Sequence, residues 1–152
     1  MENVKVVATN RKARFEYYLL ETYEAGLALQ GSEIKSIRAG QISLAEAYVE
    51  ISERLEAWLL DAHIAPYEQA SRFGHEPRRA RKLLLHREQI RKLWNMVRQK
   101  GVTIVPTRVY LKNGRAKVEI AVAKGKKLYD KRQAIAKRDV ERELKRSAKG
   151  DY

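Results

Sequence analysis

The hydrophobic and polar positions of the chain predict several short strands in its first half. Residues 14–20 are rich in aromatic side chains and partly alternate, and residues 26–31 follow them across a turn region. These two stretches are predicted to be strands. Residues 44–51 and 57–64 are two further apolar stretches, separated by the polar residues 52–54. This arrangement predicts a second hairpin.

The second half of the chain contains the clearest hairpin signal. Asn113 and Gly114 form the pair that a type I′ turn favours, and residues 117–122 alternate cleanly beyond it. Before the turn, the β-branched residues 102–111 are interrupted by Pro106, which predicts either an edge strand or a β-bulge. The leucine run 83–85 is too short for its periodicity to distinguish a strand from a helical turn.

Two helices are predicted from apolar spacing and capping residues. Residues 33–38 form a short helix, for which Ser32 is a plausible N-cap and Gly40 a left-handed closing residue. A longer helix ending at Gly101 is predicted by four apolar residues at i, i+3, i+4 and i+7, namely Ile90, Leu93, Trp94 and Val97.

The predicted elements indicate a fold that is mainly β with helices. Several short strands, few helices and no alternation of strand and helix fit an antiparallel β-barrel of the oligonucleotide-binding type. A sheet with packed helices is the alternative. We expect the barrel domain to span residues 1–123. Residues 65–77 contain two prolines and a glycine and are predicted to form a loop. Residues 124–152 are mostly charged and are expected to be a basic tail, disordered when free and ordered only on its partner.

The charge of the chain is distributed unevenly. The 152 residues carry a formal net charge of +13, although residues 1–70 contain seven basic and 11 acidic side chains. Residues 71–123 contain 14 basic and three acidic side chains, and residues 124–149 contain 11 and four. Concentration of positive charge on part of a folding chain favours a nucleic-acid partner over simple solvation.

Other classes of protein are disfavoured. The chain contains no cysteine, which excludes disulfides, thiolate zinc sites and thiol nucleophiles. It lacks a signal peptide and any apolar run of the roughly 20 residues that a membrane helix needs, so we expect a cytoplasmic protein. His86 and Glu88 resemble half of a zinc deaminase motif whose cysteines are missing. We find no catalytic constellation or phosphate-binding glycine motif, and we expect neither catalysis nor a cofactor or metal.

Two basic clusters and one acidic residue are candidates for RNA binding. Residues 78–82 place four cations in five positions, and residues 10–14 join basic side chains to the aromatic residues that follow. Lys35 and Arg38 share one face of the predicted short helix. Glu24 could accept a hydrogen bond from a base amino group. The alternatives are solvated charge for the clusters, core packing for the aromatic residues and an ordinary surface role for Glu24.

Four blocks in order along the chain closely resemble one family. The blocks are Asn10-Arg11-Lys12-Ala13, residues 23–36, residues 79–85 and residues 125–132. They resemble the small protein B family, the bacterial SsrA-binding proteins. The resemblance implies a non-enzymatic adaptor with an oligonucleotide-binding barrel. Such an adaptor binds the tRNA-like domain of transfer-messenger RNA and takes it to the small subunit of ribosomes stalled on messages without a stop codon. We expect it to be a monomer in that complex.

The resemblance also implies roles for particular residues. Asn10, Glu24 and Leu84 fall at positions tied to RNA binding. Together with basic residues expected to hold phosphates, the predicted RNA-binding set is Asn10, Arg11, Lys12, Glu24, Lys35, Arg38, Arg79, Arg81, Lys82 and Leu84. In the tail, which would enter the empty message channel near the decoding centre, the predicted ribosome-binding set is Lys126, Lys127, Tyr129, Asp130, Lys131 and Arg132. Tyr129 would stack on an exposed base there.

Three other interpretations remain open at this point. The first is a general RNA- or DNA-binding, ribosome-associated protein whose affinity comes from charge alone. The second is an RNA-processing enzyme with an unrecognised site. The third and weakest is peripheral membrane binding, because no segment joins a basic face to a large apolar one.

Overall fold

The structure is a computed structural model that describes residues 3–66, 74–126 and Arg132. Its described helices are α1 (Arg11–Glu16), α2 (Gly31–Arg38) and α3 (Arg87–Lys100). Its described strands are β1 (Val4–Thr9), β2 (Tyr17–Leu27), β3 (Ile42–Ser43), β4 (Tyr48–Ile51), β5 (Ala57–Leu60), β6 (His63–Ile64), β7 (Arg81–Leu84), β8 (Thr103–Lys112) and β9 (Arg115–Gly125).

Within the described part of the chain, six strands pair into a closed ring. Their order is β8, β4, β5, β7, β2 and β9, and β9 pairs back onto β8. All of these pairs are antiparallel. Strand β1 joins the outer edge of β8, and β3 and β6 form a separate two-stranded sheet. The prediction of a mainly antiparallel β fold with helices is therefore confirmed.

The main hydrophobic core fills the inside of this ring. Alternate residues of each strand point inward, as the period of two requires. On β9 these are Ala116, Val118, Ile120 and Val122, which pack with Ala25, Leu59 and Leu83 from other strands. Helices α2 and α3 each contribute one fully buried apolar side chain to this core, Ile37 and Leu93. The residues that alternate with them face outward, and of these Ala123 and Val105 form a second, smaller buried cluster with Ala13 of α1.

The prediction of two strands at residues 14–20 and 26–31, joined by a turn, is wrong. Residues 11–16 are helical, and residues 17–27 form one continuous strand paired with β9. Residues 21–25 were predicted to form a turn, but Tyr23 and Ala25 pack against the core. Burial of these two side chains outweighs the turn preference of their polar neighbours. The pairing shifts by one residue between Leu19 and Thr22, which accommodates the irregular spacing.

Asn10 fixes α1 against β8 at a bulge. Its Oδ1 atom accepts from the backbone N–H of Ala13 at 3.1 Å, and its Nδ2 atom donates to the carbonyl of Pro106 at 2.8 Å. Its own N–H donates to the carbonyl of Thr107 at 2.7 Å. The register shifts between Pro106 and Arg108, which confirms the bulge alternative for the proline. On the other side of β8, Pro106 lies between the pairing with β4 at Ile104 and the pairing with β1, which begins at Arg108.

Other boundaries also differ from their predictions. The N-cap of α2 is Gln30, because Glu33 accepts from its N–H at 2.8 Å, whereas Ser32 lies inside the helix. Strand 57–64 is interrupted at Asp61, whose φ of 57° turns the chain. Of the predicted strand 44–51, only residues 48–51 form a strand, and residues 42–43, just before it, form the short strand β3. Val97 is exposed, because Met96 packs against the core instead.

Several predictions from local sequence are confirmed. Gly40 and Gly101 adopt left-handed conformations after α2 and α3, and Asn113 and Gly114 form the turn between β8 and β9. Residues 83 and 84 belong to strand β7, which resolves the ambiguity of the leucine run. Residues 65–66 and 74–77 have no helix or strand, and residues 67–73 of the predicted 65–77 loop lie outside the described residues.

A buried ion network joins α2 to β7. The side chains of Glu33 and Arg81 are fully buried, and Arg81 Nε donates to Glu33 Oε2 at 2.6 Å. Arg79 donates through Nε and Nη2 to the same carboxylate. The remaining donors of Arg81 reach the carbonyls of Ala62 and Pro77 at 2.7 and 3.0 Å. One carboxylate thus links a helix, a strand and two connecting segments.

Hydrogen bonding determines the ionisation state of Glu33. Burial alone would raise the pKa of its carboxyl, but hydrogen bonds from Arg79, from the Gln30 N–H and from Arg81 outweigh it and lower the pKa below the ordinary value. The carboxylate is consequently charged at neutral pH and compensates the two guanidinium groups.

We predict that Glu33→Gln lowers the free energy of unfolding by roughly 3 kcal/mol at neutral pH, because it leaves a buried guanidinium without its counter-charge. Urea denaturation measures the change. The stabilisation from a lowered pKa is present above the unfolded-state value of about 4.3 and is lost as the pH falls through the folded-state value. As the pH is lowered, the free energy of unfolding should therefore fall less in the variant than in the wild type. Glu50→Gln, at an exposed carboxylate, is the control; equal effects of the two variants would contradict the prediction.

Candidate nucleic-acid interface

An exposed leucine, Leu84, lies on the outside of the ring where β2, β7 and β9 meet. Gly26 is paired with Leu84 on one side and with Lys117 on the other. The Leu84 side chain is 55% exposed, which is unusual for a leucine in a central strand. A Cβ atom on Gly26 would lie 3.3 Å from the Cβ of Leu84. The absence of a side chain at Gly26 thus lets Leu84 lie against the sheet.

Glu24 is held beside this surface by residues of β8. The Tyr110 hydroxyl donates to Glu24 Oε1, and Lys112 Nζ lies 3.4 Å from both carboxylate oxygens. We call Glu24, Gly26, Leu84 and Lys117 the Leu84 platform. It combines an apolar contact surface, a fixed acceptor and a cation within one outer face of the sheet.

The hydrogen bond from Tyr110 sets the chemistry of Glu24. That hydrogen bond is the main reason that the pKa of the Glu24 carboxyl is lowered, and Lys112 lowers it further against the opposing effect of burial. The pKa of the Tyr110 phenol is raised, first by burial and then by the hydrogen bond to Glu24. Glu24 is therefore a charged acceptor at neutral pH, whereas Tyr110 remains a donor.

Two clefts extend from the Leu84 platform. The first has a volume of about 630 Å³ and is also lined by Lys82 and by Arg87 at the start of α3. The second, of about 450 Å³, is lined by Arg38 of α2. Leu84 contributes to both clefts, so cations from three elements surround one exposed leucine. This distribution of charge suits a ligand with a negatively charged backbone.

The basic run 78–82 does not form one surface. Because β7 alternates, Arg81 points inward with Leu83, whereas Lys82 and Leu84 point outward. Arg81 has no exposed surface, and the guanidinium of Arg79 donates to Glu33 and to the carbonyls of Ala28 and Ala80. The expectation that Arg81 holds a phosphate is corrected accordingly, because its side chain is fully buried, whereas the same expectation for the part-exposed Arg79 stays a prediction. Lys82 is exposed and pairs with Glu56 at 3.1 Å.

The other predicted RNA-binding residues are placed in three different ways. Asn10 is 5% exposed, and its side chain caps α1 and donates to the carbonyl of Pro106. Arg11 and Lys12 are exposed and line a separate groove away from the platform clefts. Lys35 is exposed on α2 one turn before Arg38, whose Nη2 lies 3.4 Å from the carbonyl of Gly114.

Lys126 attaches the end of the described domain to α1. Its N–H donates to the carbonyl of Glu16 at 2.9 Å, and its Nζ donates to the carbonyl of Arg14 at 3.2 Å. The Nζ atom also lies 5.2 Å from the centre of the Tyr18 ring. Strand β9 itself runs to Gly125, two residues beyond the predicted boundary. Arg132 is exposed, and the other predicted tail residues, Lys127, Tyr129, Asp130 and Lys131, lie outside the described residues.

The sequence interpretation missed four residues of this surface. Tyr110 and Lys117 were assigned to strands without a binding role, Lys112 was assigned to no element, and Gly26 was assigned to a strand end. Two signals were available. A glycine inside a strand often marks close approach of another group, and outward positions of the alternating residues 117–122 include Lys117. The contact between Tyr110 and Glu24 spans 86 positions and has no local signal.

The described residues include neither a metal-binding cluster nor a membrane-spanning helix. No group of three or more histidine, aspartate or glutamate side chains in those ranges is arranged to hold a metal ion. Likewise, none of the helices within them has the length and apolar character needed to cross a membrane. The charged and apolar outer face of the ring remains the best candidate for binding.

A strand ring with such a platform is typical of nucleic-acid-binding proteins. The chain matches the family described as "SmpB protein" over residues 7–150. It is 57% identical over 149 residues to an SsrA-binding protein of Desulforudis audaxviator, with 98% of this chain and 97% of the relative covered. It is 58% identical over 146 residues to an SsrA-binding protein of Roseiflexus castenholzii, with 95% and 92% covered.

A solved structure agrees with these relatives. A chain of "tmRNA-SmpB: a journey to the center of the bacterial ribosome" superposes with a TM-score of 0.68 at 45% identity, covering 84% of this chain and 93% of that one. The chain therefore belongs to the SmpB family, whose members are non-enzymatic RNA-binding proteins. The resemblance seen in the four sequence blocks is confirmed.

We predict that Tyr110→Phe raises the pKa of the Glu24 carboxyl towards the ordinary glutamate value of about 4.3, because the main hydrogen bond to the charged form is lost. Titration of the carboxyl carbon by NMR measures this change. Tyr17→Phe removes a hydroxyl elsewhere on the protein and should leave the pKa of Glu24 unchanged. An unaltered Glu24 titration in Tyr110→Phe would contradict the assignment of the tyrosine as the main cause.

Proposed function

We propose that this chain binds the tRNA-like domain of transfer-messenger RNA and delivers it to stalled ribosomes. The observation that carries the proposal is the Leu84 platform, an exposed leucine between a fixed carboxylate and several cations. Relatives covering nearly the whole chain are named SsrA-binding proteins, and a similar solved structure is described as tmRNA with SmpB at the bacterial ribosome. Acting at ribosomes, the protein would work in the cytoplasm.

The proposed contacts divide the work of recognition. An unstacked base or a ribose lies on Leu84, and the ionised Glu24 accepts from a base amino group. Arg38, Lys82 and Lys117 bind phosphates on either side of the platform. The closed ring of strands supports an oligonucleotide-binding barrel, a fold that presents its outer strand surface and loops to nucleic acid.

The remaining predicted residues take supporting or peripheral roles in this proposal. Asn10, Arg79 and Arg81 position elements of the domain through their internal hydrogen bonds. Arg11, Lys12 and Lys35 are exposed cations that add phosphate contacts outside the platform. The protein acts as one copy in the complex and needs no cofactor, because every proposed step is binding.

We predict that Leu84→Ala weakens binding of the tRNA-like domain about tenfold, since loss of the contact made by the leucine methyl groups costs about 1.4 kcal/mol. Filter binding or fluorescence anisotropy measures the affinity. Leu20→Ala is the matched control, because Leu20 is 53% exposed on the same sheet but lies outside the platform clefts. Equal affinities of the two variants would contradict a role for the platform.

A competition experiment separates specific recognition from charge alone. Bulk tRNA and duplex DNA carry the same phosphate charge but lack the proposed site. If either competitor displaces transfer-messenger RNA at a similar concentration, the protein is a general nucleic-acid binder and the adaptor proposal fails. Incubation of the protein with RNA and a divalent metal, with no cleavage or modification, is the result expected of a non-enzymatic adaptor.

The tail has a second role in the proposal. Residues 127–152 enter the empty message channel of the small subunit, where Tyr129 stacks on a base near the decoding centre and Asp130, Lys131 and Arg132 contact the surrounding RNA. The strong positive charge of residues 124–149 supports this placement. Lys126 is better placed to fix the point where the tail leaves the domain, because its side chain is bound to α1.

We predict that a chain ending at Lys126 binds transfer-messenger RNA with nearly unchanged affinity and fails to support tagging on stalled ribosomes. The cut preserves β9 and the contacts of Lys126, so the platform is left intact. The two measurements are RNA affinity and tagging in a reconstituted translation system. Loss of RNA binding in the shortened chain would overturn this division of labour.

A further inference from the structure

One exposed face of α3 carries a row of cations that the Leu84 platform does not include. Arg87, Arg91, Trp94 and Arg98 follow one another at intervals of four, three and four residues, which places them on the same side of a helix. We call these four residues the α3 stripe. The three arginines are exposed, and Trp94 is half-buried. With a rise of about 1.5 Å per residue, the stripe is roughly 16 Å long.

The arginines of the α3 stripe are not neutralised by the protein. Within the described ranges, Arg87, Arg91 and Arg98 have neither an ion pair nor a hydrogen bond to an acidic side chain. Lys92, on the neighbouring face, differs, because it pairs with Glu21 at 3.4 Å. The stripe therefore presents uncompensated positive charge to solvent.

The stability of α3 does not account for the two arginines at its start, whereas Arg98, in the last turn, is favourably placed for the helix dipole. Arg87 is the first residue of the helix, where the positive end of the helix dipole disfavours a cation. Arg87 and Arg91 are also separated by four residues, and like charges at this spacing repel each other. Both placements act against the helix, so their explanation lies in a ligand that the charge attracts.

Trp94 holds one arginine of the stripe in place. The guanidinium carbon of Arg98 lies 5.2 Å from the centre of the Trp94 ring, within the range of a cation–π contact. A guanidinium lying over a ring keeps its N–H donors free at its edge, and it is already ordered before a phosphate binds. At the far end of the stripe, the guanidinium of Arg98 is thereby ordered with free N–H donors that can bind an anion.

The position of Arg87 connects the stripe to the platform. Arg87 lines the same 630 Å³ cleft as Glu24 and Leu84. An RNA strand that occupies this cleft therefore meets the first arginine of the stripe at its rim, and the helix leads away from there. We propose that the α3 stripe binds consecutive backbone phosphates of the RNA whose bases contact the Leu84 platform. This inference rests on the proposed function.

The test compares the salt dependence of RNA binding among variants of equal charge. The probe is the isolated tRNA-like domain of transfer-messenger RNA, with salt varied between about 50 and 200 mM. The double variant Arg91→Gln with Arg98→Gln removes two stripe cations, and glutamine preserves helix propensity. The control, Lys5→Gln with Lys92→Gln, removes two cations from other surfaces.

Each lost phosphate contact should reduce the slope of log K against log salt by about 0.7 to 0.9. The stripe variant should therefore have a slope shallower by roughly 1.4 to 1.8, whereas the control should keep the wild-type slope. Hydroxyl-radical footprinting should show that the stripe variant loses protection of one backbone stretch and retains the protection that depends on Leu84.

The outcomes distinguish this inference from the proposed function. If the stripe variant keeps the wild-type slope and footprint while Leu84→Ala weakens binding, the stripe does not contact this RNA and the platform proposal stands. If the control variant loses as much slope as the stripe variant, the effect is one of net charge and the inference is overturned. If the wild type binds the probe no better than bulk tRNA, the proposed function itself fails.

Discussion

The carboxylate of Glu33 connects the parts of the molecule on which binding depends. It lies in the first turn of α2 and accepts hydrogen bonds from Arg79 and from Arg81 of β7. Because Arg81 and Leu84 belong to the same short strand, the ion network inside the ring fixes the strand whose outer side forms the platform. It also fixes α2, which carries Arg38 to the other side of Leu84. A change at this buried anion would therefore alter a surface that it does not touch.

The strands of the ring each serve the core and the ligand surface at once. On β2, Ala25 is buried between the outward residues Glu24 and Gly26, and on β9 Val118 is buried between Lys117 and Glu119. The period of two makes these roles inseparable, because a one-residue slip would exchange the two faces. The bulge at Pro106, clamped by Asn10, is one device that holds the register of β8. Tyr110 lies on that strand, four residues beyond the bulge, and reaches Glu24 from there.

The sequence predicts the parts of this structure that local interactions control. The turn at Asn113 and Gly114, the end of α3 at Gly101 and the class of fold all follow from residues close to one another. The helix at residues 11–16 was missed because Asn10 caps it while also binding β8, far along the chain. Arg81 was misjudged because a basic run was treated as a surface, whereas strand pairing turns alternate residues inward. Family resemblance identified Glu24 and Leu84, but the long-range partners that make them a site, Tyr110 and Gly26, required the fold.

In the proposed function, the carboxylate of Glu24 also influences which ligands are excluded. It is a negative charge that Tyr110 keeps ionised in the middle of a positive surface. Any polyanion is attracted to the surrounding cations. A polyanion whose phosphate lies beside Glu24 is repelled by the carboxylate, whereas a nucleic acid that places a base amino group there is not. Selectivity can then arise because repulsion by Glu24 weakens the binding of wrong partners and of the right partner in a wrong register, without additional affinity for the right partner. In the proposed function, the cations attract nucleic acid to the surface, and Glu24 restricts the register in which it binds.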